Sequence, residues 1–353
     1  MFVYAGIDEA GYGPFFGPMT VGRCVLRVPN LEPPTPDDAA RGLPPRSRRA
    51  PASLDGVPDL WKRLSSAVGK TLTGAKGRVV VNDSKKLLTK AAGLRHLETG
   101  CLAFASLMGL RPGDVCGWLD GLGETAHREL SRLPWYADDC VGPWATLPCA
   151  VDAGELAIAR GMLERTCRRI GVEVADLGVA VCFEDRFNQM VQVTRSKAAV
   201  SFTFVAGHLR RVWDEHGQHR PTVVVDRQSG RMRYRDTLAM NFEGCGVEVL
   251  YESPGRSSYL IHEGGRGESP ARSMLVHFCI DAETSHMPVA LASMLAKYNR
   301  ELLMDRFKAY FSSKLPHVPP TAGYGQDAGR FWKQLQPELA RLQLDGRVLR
   351  RIA

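Results

Sequence analysis

Three short apolar segments, far apart in the chain, are each followed at once by acidic residues. They are residues 1–7 with Asp8 and Glu9, residues 222–225 with Asp226, and residues 274–280 with Asp281 and Glu283. Their β-branched and aromatic residues favour strands. Because a lone charge is costly to bury, the acids either face solvent or hold something positive. Strand ends can converge on one edge of a sheet, so the pattern predicts an acidic cluster; separate strand-end turns in solvent are the alternative.

Such an acidic cluster has the chemistry of a cation site. Neighbouring carboxylates raise one another's pKa unless a cation neutralises them. Sites built only from oxygen ligands suit Mg²⁺ or Mn²⁺. Two such ions, about 3.5–4 Å apart, can activate a water and stabilise the leaving oxygen when a phosphodiester is cleaved. The acids therefore indicate metal-dependent chemistry on a phosphate ester.

The predicted strands alternate with helical patterns. The clearest helix is Asp152–Ile170, whose apolar residues recur on one face. Further helices are predicted at 89–107, 196–213 and 288–311. Strands alternating with helices indicate an α/β sheet with helices packed on it.

Two stretches interrupt this alternation. Residues 29–58 hold eight of the 22 prolines and the basic run Arg46-Ser47-Arg48-Arg49, so we expect a mobile surface segment inside an insertion at 29–78. Residues 111–150 are rich in Gly, Trp and Pro without a clean period, and they form a second insertion of unassigned structure.

The remaining chain divides into a large domain and a tail. The large domain spans residues 1–311, and within it residues 253–272 are rich in Gly, Ser and Arg and are expected to form a loop. Residues 312–353 are expected to form a C-terminal helical segment that contains the turn Gly323-Tyr324-Gly325.

Composition is that of an ordinary globular protein, with 44% apolar and 24% charged residues. No apolar run approaches the roughly 18 residues that a membrane span needs. The N-terminus lacks the basic flank and cleavage site of a secretory signal. Nine cysteines, none in a Cys-x-x-Cys pair or at zinc-type spacing, are expected to be reduced thiols. These features predict a cytoplasmic protein without membrane association.

The net charge of +8 is concentrated in two segments. Residues 30–80 carry nine basic and five acidic residues, and residues 194–236 carry nine and four. The rest of the chain is nearly neutral. Contacts to phosphate supply affinity without reading sequence, so we expect salt-sensitive binding of a polyanion with little base preference.

Residues 82–87, Asn-Asp-Ser-Lys-Lys-Leu, have the features of a helix N-terminus, with Asp83 or Ser84 as the cap. Lys85 and Lys86 stand beside it. The free N–H groups of a helix start and a lysine ammonium both favour an anion, so this segment can grip a phosphate. A solvated helix cap is the alternative.

Five motifs follow one another in the chain. They are Gly-Ile-Asp-Glu-Ala-Gly-x-Gly-Pro at 6–14, Asp-Ser-Lys-Lys-Leu at 83–87, the strand ending in Asp226, Ala-Ser-x-Leu-Ala-Lys at 292–297, and Gly-Tyr-Gly at 323–325. In this order they resemble the type 2 ribonuclease H family, which comprises ribonucleases HII and HIII. Each motif alone is weak, whereas five in family order are strong evidence.

The resemblance implies a ribonuclease H-like fold, with a mixed central sheet flanked by helices, and four acidic ligands for two Mg²⁺ or Mn²⁺ ions. Asp8, Glu9 and Asp226 match three of the ligands. Glu283 is preferred as the fourth, with Asp281 in reserve, because Ala-Glu precedes a Val-Ala-x-Ala-Ser helix start in ribonuclease HIII and does so here. The implied activity is cleavage of the RNA strand of RNA–DNA hybrids, or of ribonucleotide-containing DNA, by a protein that is expected to be a monomer.

The resemblance also implies substrate contacts by other motif residues. These are Gly11, Tyr12, Gly13, Asp83, Ser84, Lys85, Lys86, Ser293, Lys297 and Tyr324. Without a Cβ, the two glycines let the backbone approach a ribose and offer hydrogen bonds to the 2′-OH that separates RNA from DNA. Tyr324 would pack against the nucleotide beside the cleaved bond. A helix-surface pair for Ser293 and Lys297, and a plain turn tyrosine, are the alternatives.

Tyr12 departs from the family pattern, which has Arg in ribonuclease HII and Thr in ribonuclease HIII. A tyrosine can stack on a sugar or base but cannot grip a phosphate, so the sequence leaves open which ribonucleotide junctions are cut. It also leaves two other functions open. One is a non-catalytic relative that binds hybrids or other nucleic acid, and the other is a nuclease of the same broad fold that acts on DNA structures.

Overall fold

The structure, a computed structural model, describes residues 1–40, 54, 56–75, 77–123, 127–227, 230–263 and 272–352. Its strands are β1 (Phe2–Ala10), β2 (Met19–Val28), β3 (Val68–Gly69), β4 (Val79–Val80), β5 (Glu173–Cys182), β6 (Thr222–Asp226), β7 (Gly246–Glu252), β8 (Arg256–His262) and β9 (Ser273–Cys279). Its α-helices are α1 (Pro36–Ala40), α2 (Leu60–Arg63), α3 (Ser84–Leu87), α4 (Arg95–Ser106), α5 (Val115–Gly121), α6 (His127–Ser131), α7 (Asp138–Val141), α8 (Ala153–Ile170), α9 (Glu184–Thr194), α10 (Lys197–His216), α11 (Arg235–Asn241), α12 (Met287–Lys314), α13 (Gly325–Leu335) and α14 (Gly346–Leu349).

Seven strands form one sheet, in the spatial order β5-β2-β1-β6-β9-β8-β7. The three central strands β1, β6 and β9 run parallel to one another. The flanking pairs are antiparallel. A mixed sheet with helices packed on it was predicted from the sequence, and that prediction is confirmed.

Helices cover both faces of β1. Val3, Ala5 and Ile7 pack with residues of α10, whereas Phe2 and Tyr4 pack on the opposite face with residues of α4 and α12. A strand that is buried on both faces reads as a continuous apolar run. This burial explains why the first segment of the chain shows no polar alternation before its two acids.

Helix α12 lies directly on β1 and β2 because two glycines leave room for its backbone. A Cβ on Gly6 would lie 2.2 Å from the carbonyl carbon of Pro288, and a Cβ on Gly22 would lie 2.1 Å from the carbonyl oxygen of Ala292. Gly22 is the register partner of Asp8. The first turns of α12 are thereby held next to the acidic end of β1.

The predicted insertion at 29–78 is only partly a surface segment. Residues 30–38 are exposed or half-buried. Leu60 and Leu64 are fully buried in the main core, and the Trp61 indole donates to a backbone carbonyl at 2.8 Å. The part around α2 lies beyond the expected surface segment at 29–58, and its apolar residues are used by the main core. The basic run at 46–49 lies outside the described residues.

Short helices account for the missing periodicity of the region 111–150, where α5, α6 and α7 are only four to seven residues long. The region is anchored to the core by the buried Trp118 and by Glu98 of α4. The Glu98 carboxylate accepts hydrogen bonds from the N–H groups of residues 149–151 and from the Tyr298 hydroxyl. This region thus packs as part of the globule.

A strand, β8, lies within residues 253–272, where the sequence predicted a loop. It pairs with β7 and with β9. Its start is polar, but the Ser257 hydroxyl donates to a backbone carbonyl at 2.6 Å and the Ser258 hydroxyl bonds to His277 Nδ1 at 2.8 Å. Polar residues are therefore satisfied inside the sheet, and the loop prediction is wrong here. Residues 264–271 lie outside the described residues.

Helix α12 continues past the predicted domain boundary at 311 and ends at Lys314. The tail then adds α13 and α14, whose residues Phe331, Leu335 and Leu349 join the main core. The described part of the tail thus contains two further helices packed on the core. Among the described helices, none is long and apolar enough to cross a membrane.

Candidate active site

The carboxyl ends of the three parallel strands lie together at one edge of the sheet. β1 carries Asp8 and Glu9, β6 ends at Asp226, and the 3₁₀ turn after β9 carries Glu283. All four carboxylates line one cavity of about 450 Å³. The convergence expected from the sequence follows from the parallel order of β1, β6 and β9.

The same cavity takes in most other residues that the sequence singled out. Its wall also includes Gly11, Tyr12, Gly13, Asp83, Ser84, Lys85, Ser293, Lys297 and Tyr324. Two candidates are not part of this wall. The Lys86 side chain is 60% exposed and lies 3.9 Å from Asp83, and Asp281 lies outside the cavity.

Backbone geometry separates the two acids that competed for the fourth place. Asp281 has a φ of +50° and begins the 3₁₀ turn. Glu283 lies in that turn and contacts the Asp226 carboxyl. The turn is tied to β6 because the Ala282 N–H donates to Asp226 Oδ1 at 2.9 Å. Of the two, Glu283 is therefore the one that faces the other acids.

Burial and mutual repulsion raise the pKa of all four acids. Burial is the largest cause for each, and repulsion from Glu9 adds to it at Asp8, from Asp226 at Glu9, and from Asp8 at Asp226. The pKa of Glu9 rises to about 7, and those of Asp8 and Asp226 rise well above their usual range. Several carboxylates this close ionise together only beside a positive charge.

The donor set suits a hard divalent cation. It consists of carboxylate oxygens, which Mg²⁺ and Mn²⁺ prefer. Glu283 Oε2 is buried and has no hydrogen-bond partner among the described residues. A cation would satisfy this oxygen and relieve the repulsion. In the described part of the chain, no group of three or more Asp, Glu, His or Cys side chains has the geometry of a metal site. The four acids therefore line a common cavity without forming a closed ligand sphere.

Three elements meet at Ser293, in the second turn of α12. It contacts the Asp8 carboxyl of β1, and its hydroxyl donates to the Ser84 hydroxyl of α3 at 3.0 Å. One turn later, Lys297 donates to Glu301 at 2.7 Å while still lining the cavity. This pairing fixes the direction of the Lys297 ammonium.

The predicted cap of α3 is confirmed. The Asp83 carboxylate accepts a hydrogen bond from the Lys85 N–H at 2.9 Å. The Lys85 ammonium lies close enough to Glu9 to oppose the rise of the Glu9 pKa. Lys85 is thus the cation of this motif that reaches the acidic cluster.

Residues 11–13 form a turn on the cavity wall, named here the glycine turn. Gly11 has a φ of +83°, and a Cβ there would lie 2.6 Å from the Pro18 carbonyl oxygen. A Cβ on Gly13 would meet nothing within 4 Å. The Tyr12 ring packs on an apolar cluster that includes Met19 and Phe187. The turn is therefore tightly packed on one side and open on the other.

Sequence reasoning missed two buried arginines behind the glycine turn. Arg351 donates to the Gly11 and Tyr12 carbonyls, and Arg300 donates to the Phe16 carbonyl. The Arg300 guanidinium also lies 5.0 Å from the centre of the Tyr324 ring. No local motif marks either arginine, because their partners lie hundreds of positions away in the chain.

No family model matches the chain, and no curated protein matches it. Solved structures are similar over most of its length. Ribonuclease H2 from Pyrococcus horikoshii OT3 is 12% identical, with 99% of this chain and 92% of that chain covered and a TM-score of 0.40. Ribonuclease HII in a PCNA complex from Archaeoglobus fulgidus is 13% identical, with 98% and 91% covered and a TM-score of 0.39.

A third similar structure is Bst-RNase HIII in complex with Mn²⁺. It is 12% identical, with 98% of this chain and 68% of that chain covered and a TM-score of 0.36.

Proposed function

We propose that the protein is a metal-dependent endoribonuclease, a divergent relative of the type 2 ribonucleases H, that hydrolyses the RNA strand of RNA–DNA hybrids. One observation carries the proposal: Asp8, Glu9, Asp226 and Glu283 line a single cavity together with the glycine turn. The expected products carry 5′-phosphate and 3′-hydroxyl ends.

The four acids would hold two Mg²⁺ or Mn²⁺ ions. Such ions supply a lower pKa for the attacking water and charge stabilisation for the departing 3′ oxygen. Ser293 and the Ala282 N–H would keep Asp8 and Asp226 in place, since they contact those carboxyls in the protein alone. The chain thus provides both the acids and the groups that orient them.

The other residues of the wall would bind the nucleic acid. Lys85 and Lys297 line the cavity and would contact a phosphate of the cleaved strand, the Lys297 ammonium while it stays paired with Glu301. The open side of Gly13 lets a ribose approach the backbone. Tyr324 is 43% exposed and offers a ring face to the neighbouring nucleotide.

Asp226→Asn tests the proposal directly. We expect the variant to lose cleavage of a labelled hybrid and to bind the hybrid as well as the wild type or better, because one negative charge is removed from a site for a polyanion. Asp236→Asn is the matched control, since Asp236 is an exposed aspartate on α11 outside the cavity. Full activity in Asp226→Asn would overturn the assignment.

The substrate class is tested with three labelled substrates, each with Mg²⁺ and with Mn²⁺. They are an RNA–DNA hybrid, a DNA duplex with one ribonucleotide, and a four-way DNA junction. Cleavage of either ribonucleotide substrate supports the proposal. Cleavage of the junction alone indicates a nuclease for DNA structures, and hybrid binding without cleavage indicates a non-catalytic relative.

A further inference from the structure

We propose that Arg351 is a positioning residue for the glycine turn: it directs the backbone N–H groups of Tyr12 and Gly13 into the cavity, where they donate hydrogen bonds to the substrate. This inference rests on the proposed function and deepens it. It assigns a role in recognition to a residue 340 positions away in the chain from Gly11.

The Arg351 guanidinium is buried behind the turn, with 2% of the residue exposed. Its Nη1 donates to the Gly11 carbonyl at 2.5 Å, and its Nη2 donates to the Tyr12 carbonyl at 2.9 Å. The Arg351 backbone N–H donates to the Phe15 carbonyl at 2.8 Å. One residue therefore holds the turn and the segment that follows it.

Peptide geometry then determines where the N–H groups of the glycine turn point once Arg351 binds its carbonyls. In a trans peptide the C=O and N–H bonds of one unit point in opposite directions. The Gly11 carbonyl shares its unit with the Tyr12 N–H, and the Tyr12 carbonyl shares its unit with the Gly13 N–H. Because Arg351 binds both carbonyls from behind, both N–H groups point away from it.

The opposite side of the turn is the cavity. Residues 11–13 line it, and the space beside Gly13 is open. Neither the Tyr12 N–H nor the Gly13 N–H donates to an acceptor among the described residues. Two adjacent, unused donors on a cavity wall suit a ligand oxygen such as a ribose hydroxyl.

The charge of Arg351 strengthens these donors. Burying a guanidinium is costly unless it is hydrogen-bonded, and most of the bonds that Arg351 makes go to this turn. A cation bound to a carbonyl polarises the whole peptide unit, so the N–H at the other end becomes a better donor. Arg300 cannot replace this effect, because it binds the Phe16 and Ala322 carbonyls instead.

Two variants and one control separate positioning from general stability. Arg351→Gln removes the charge and the paired donors, whereas Arg351→Lys keeps the charge but cannot bind both carbonyls in the same way. Arg306→Gln is the control. Arg306 is 7% exposed and also donates to backbone carbonyls, those of Tyr136 and Gly142, in a different part of the fold.

The first measurement is binding in EDTA, by fluorescence anisotropy, to an RNA–DNA hybrid and to a DNA duplex of the same sequence. Losing one or two hydrogen bonds to the 2′-OH should weaken hybrid binding about tenfold in Arg351→Gln and leave duplex binding nearly unchanged. Arg351→Lys should lie between, and Arg306→Gln should keep the wild-type ratio. An unchanged ratio of hybrid to duplex affinity in a folded Arg351→Gln overturns the proposal. If Arg351→Gln does not fold, the same ratio measured for Arg351→Lys is the test.

The second measurement observes the donors themselves. Only Gly13 and Gly325 follow a tyrosine, so ¹³C-carbonyl tyrosine with ¹⁵N-glycine isolates their two amide signals, and Gly13→Ala assigns them. The Gly13 signal should shift when hybrid is added to the wild type, and the shift should be lost in Arg351→Gln. A Gly13 signal that does not shift when hybrid is added to the wild type overturns the proposal. A responding signal in a protein that does not cut hybrids would sink the proposed activity alone.

Discussion

The Glu283 carboxylate lies at a place where the described residues do not provide all of its hydrogen-bond partners. Its Oε2 has no partner among the described residues, and its carboxyl meets that of Asp226. Burial and nearby acids raise its pKa. We predict that Glu283→Gln raises the Tm of the metal-free protein in EDTA at neutral pH, because a repelling charge is removed. The same change should lower metal-dependent cleavage by about 100-fold or more, since Glu283 is proposed as a metal ligand rather than as an outer partner.

The matched control is Asp281→Asn, two positions earlier. Asp281 has a φ of +50°, a conformation that asparagine adopts as readily as aspartate, so the backbone should not change. We expect cleavage near the wild-type rate and an unchanged Tm. Equal losses of activity in the two variants would contradict the choice of Glu283.

At the residue scale, the sequence predicts those residues of the candidate site that belong to local motifs. The acids and the glycine turn follow strands, so pattern and resemblance both find them. Arg300 and Arg351 could not be found, because they bind backbone carbonyls 284 and 340 positions away. A carbonyl is present at every residue, so such a contact leaves no trace in residue type at the other end.

Among the elements, α12 and β2 form the contact on which the position of Ser293 depends. A Cβ on Gly22 would lie 2.1 Å from the Ala292 carbonyl oxygen, which is backbone and cannot rotate away. We predict that Gly22→Ala lowers the free energy of unfolding by about 2 kcal/mol or more, a cost typical of overpacking. The displaced helix should also lower cleavage. Urea denaturation and a hybrid cleavage assay measure the two effects.

Gly207→Ala serves as the control, and we expect it to raise the free energy of unfolding instead of lowering it. Gly207 lies inside α10, where a Cβ would meet nothing within 4 Å. Alanine in an open helix position stabilises by roughly 0.5–1 kcal/mol relative to glycine. If Gly22→Ala lowers the free energy of unfolding no more than a typical surface substitution does, α12 can shift without cost.

Elements were predictable where the residues form an apolar, β-prone run, as in β1, or repeat on one helical face, as in α8. β8 was not, because it begins with Arg256, Ser257 and Ser258, which belong to a loop by composition. Their partners come from other elements: Arg256 lies over the Tyr251 ring, and the two serines bond to residues outside β8. Tertiary hydrogen bonds thus overrode local propensity.

Over the whole molecule, the positive charge that the sequence contains is only partly available to a ligand. In the basic segment 194–236, Arg210 and Arg211 pair with acids one turn later on α10. Arg227 donates to the Ser253 and Pro254 carbonyls. Six cations of this segment remain, and three of them, Arg231, Arg233 and Arg235, follow Asp226 closely in the chain.

The position of those cations yields a test at this scale. Arg231 lies near enough to Tyr12 to act on its hydroxyl. Arg233, two residues on, has an 88% exposed side chain, and its Nε lies 3.8 Å from Glu252, beyond hydrogen-bond distance. We predict that Arg233→Gln weakens binding to hybrid and to DNA duplex alike, and reduces the slope of log affinity against log salt by about 0.9, the value for one phosphate contact. Arg210→Gln should leave the slope unchanged, because Arg210 is only 49% exposed and is hydrogen-bonded to Asp214 at 3.3 Å on α10, a closer pairing than that of Arg233. Anisotropy titrations between about 50 and 200 mM salt measure both slopes. Equal slopes for the wild type and Arg233→Gln would mean that the phosphate backbone passes the cavity on another side, over α3 and Lys85.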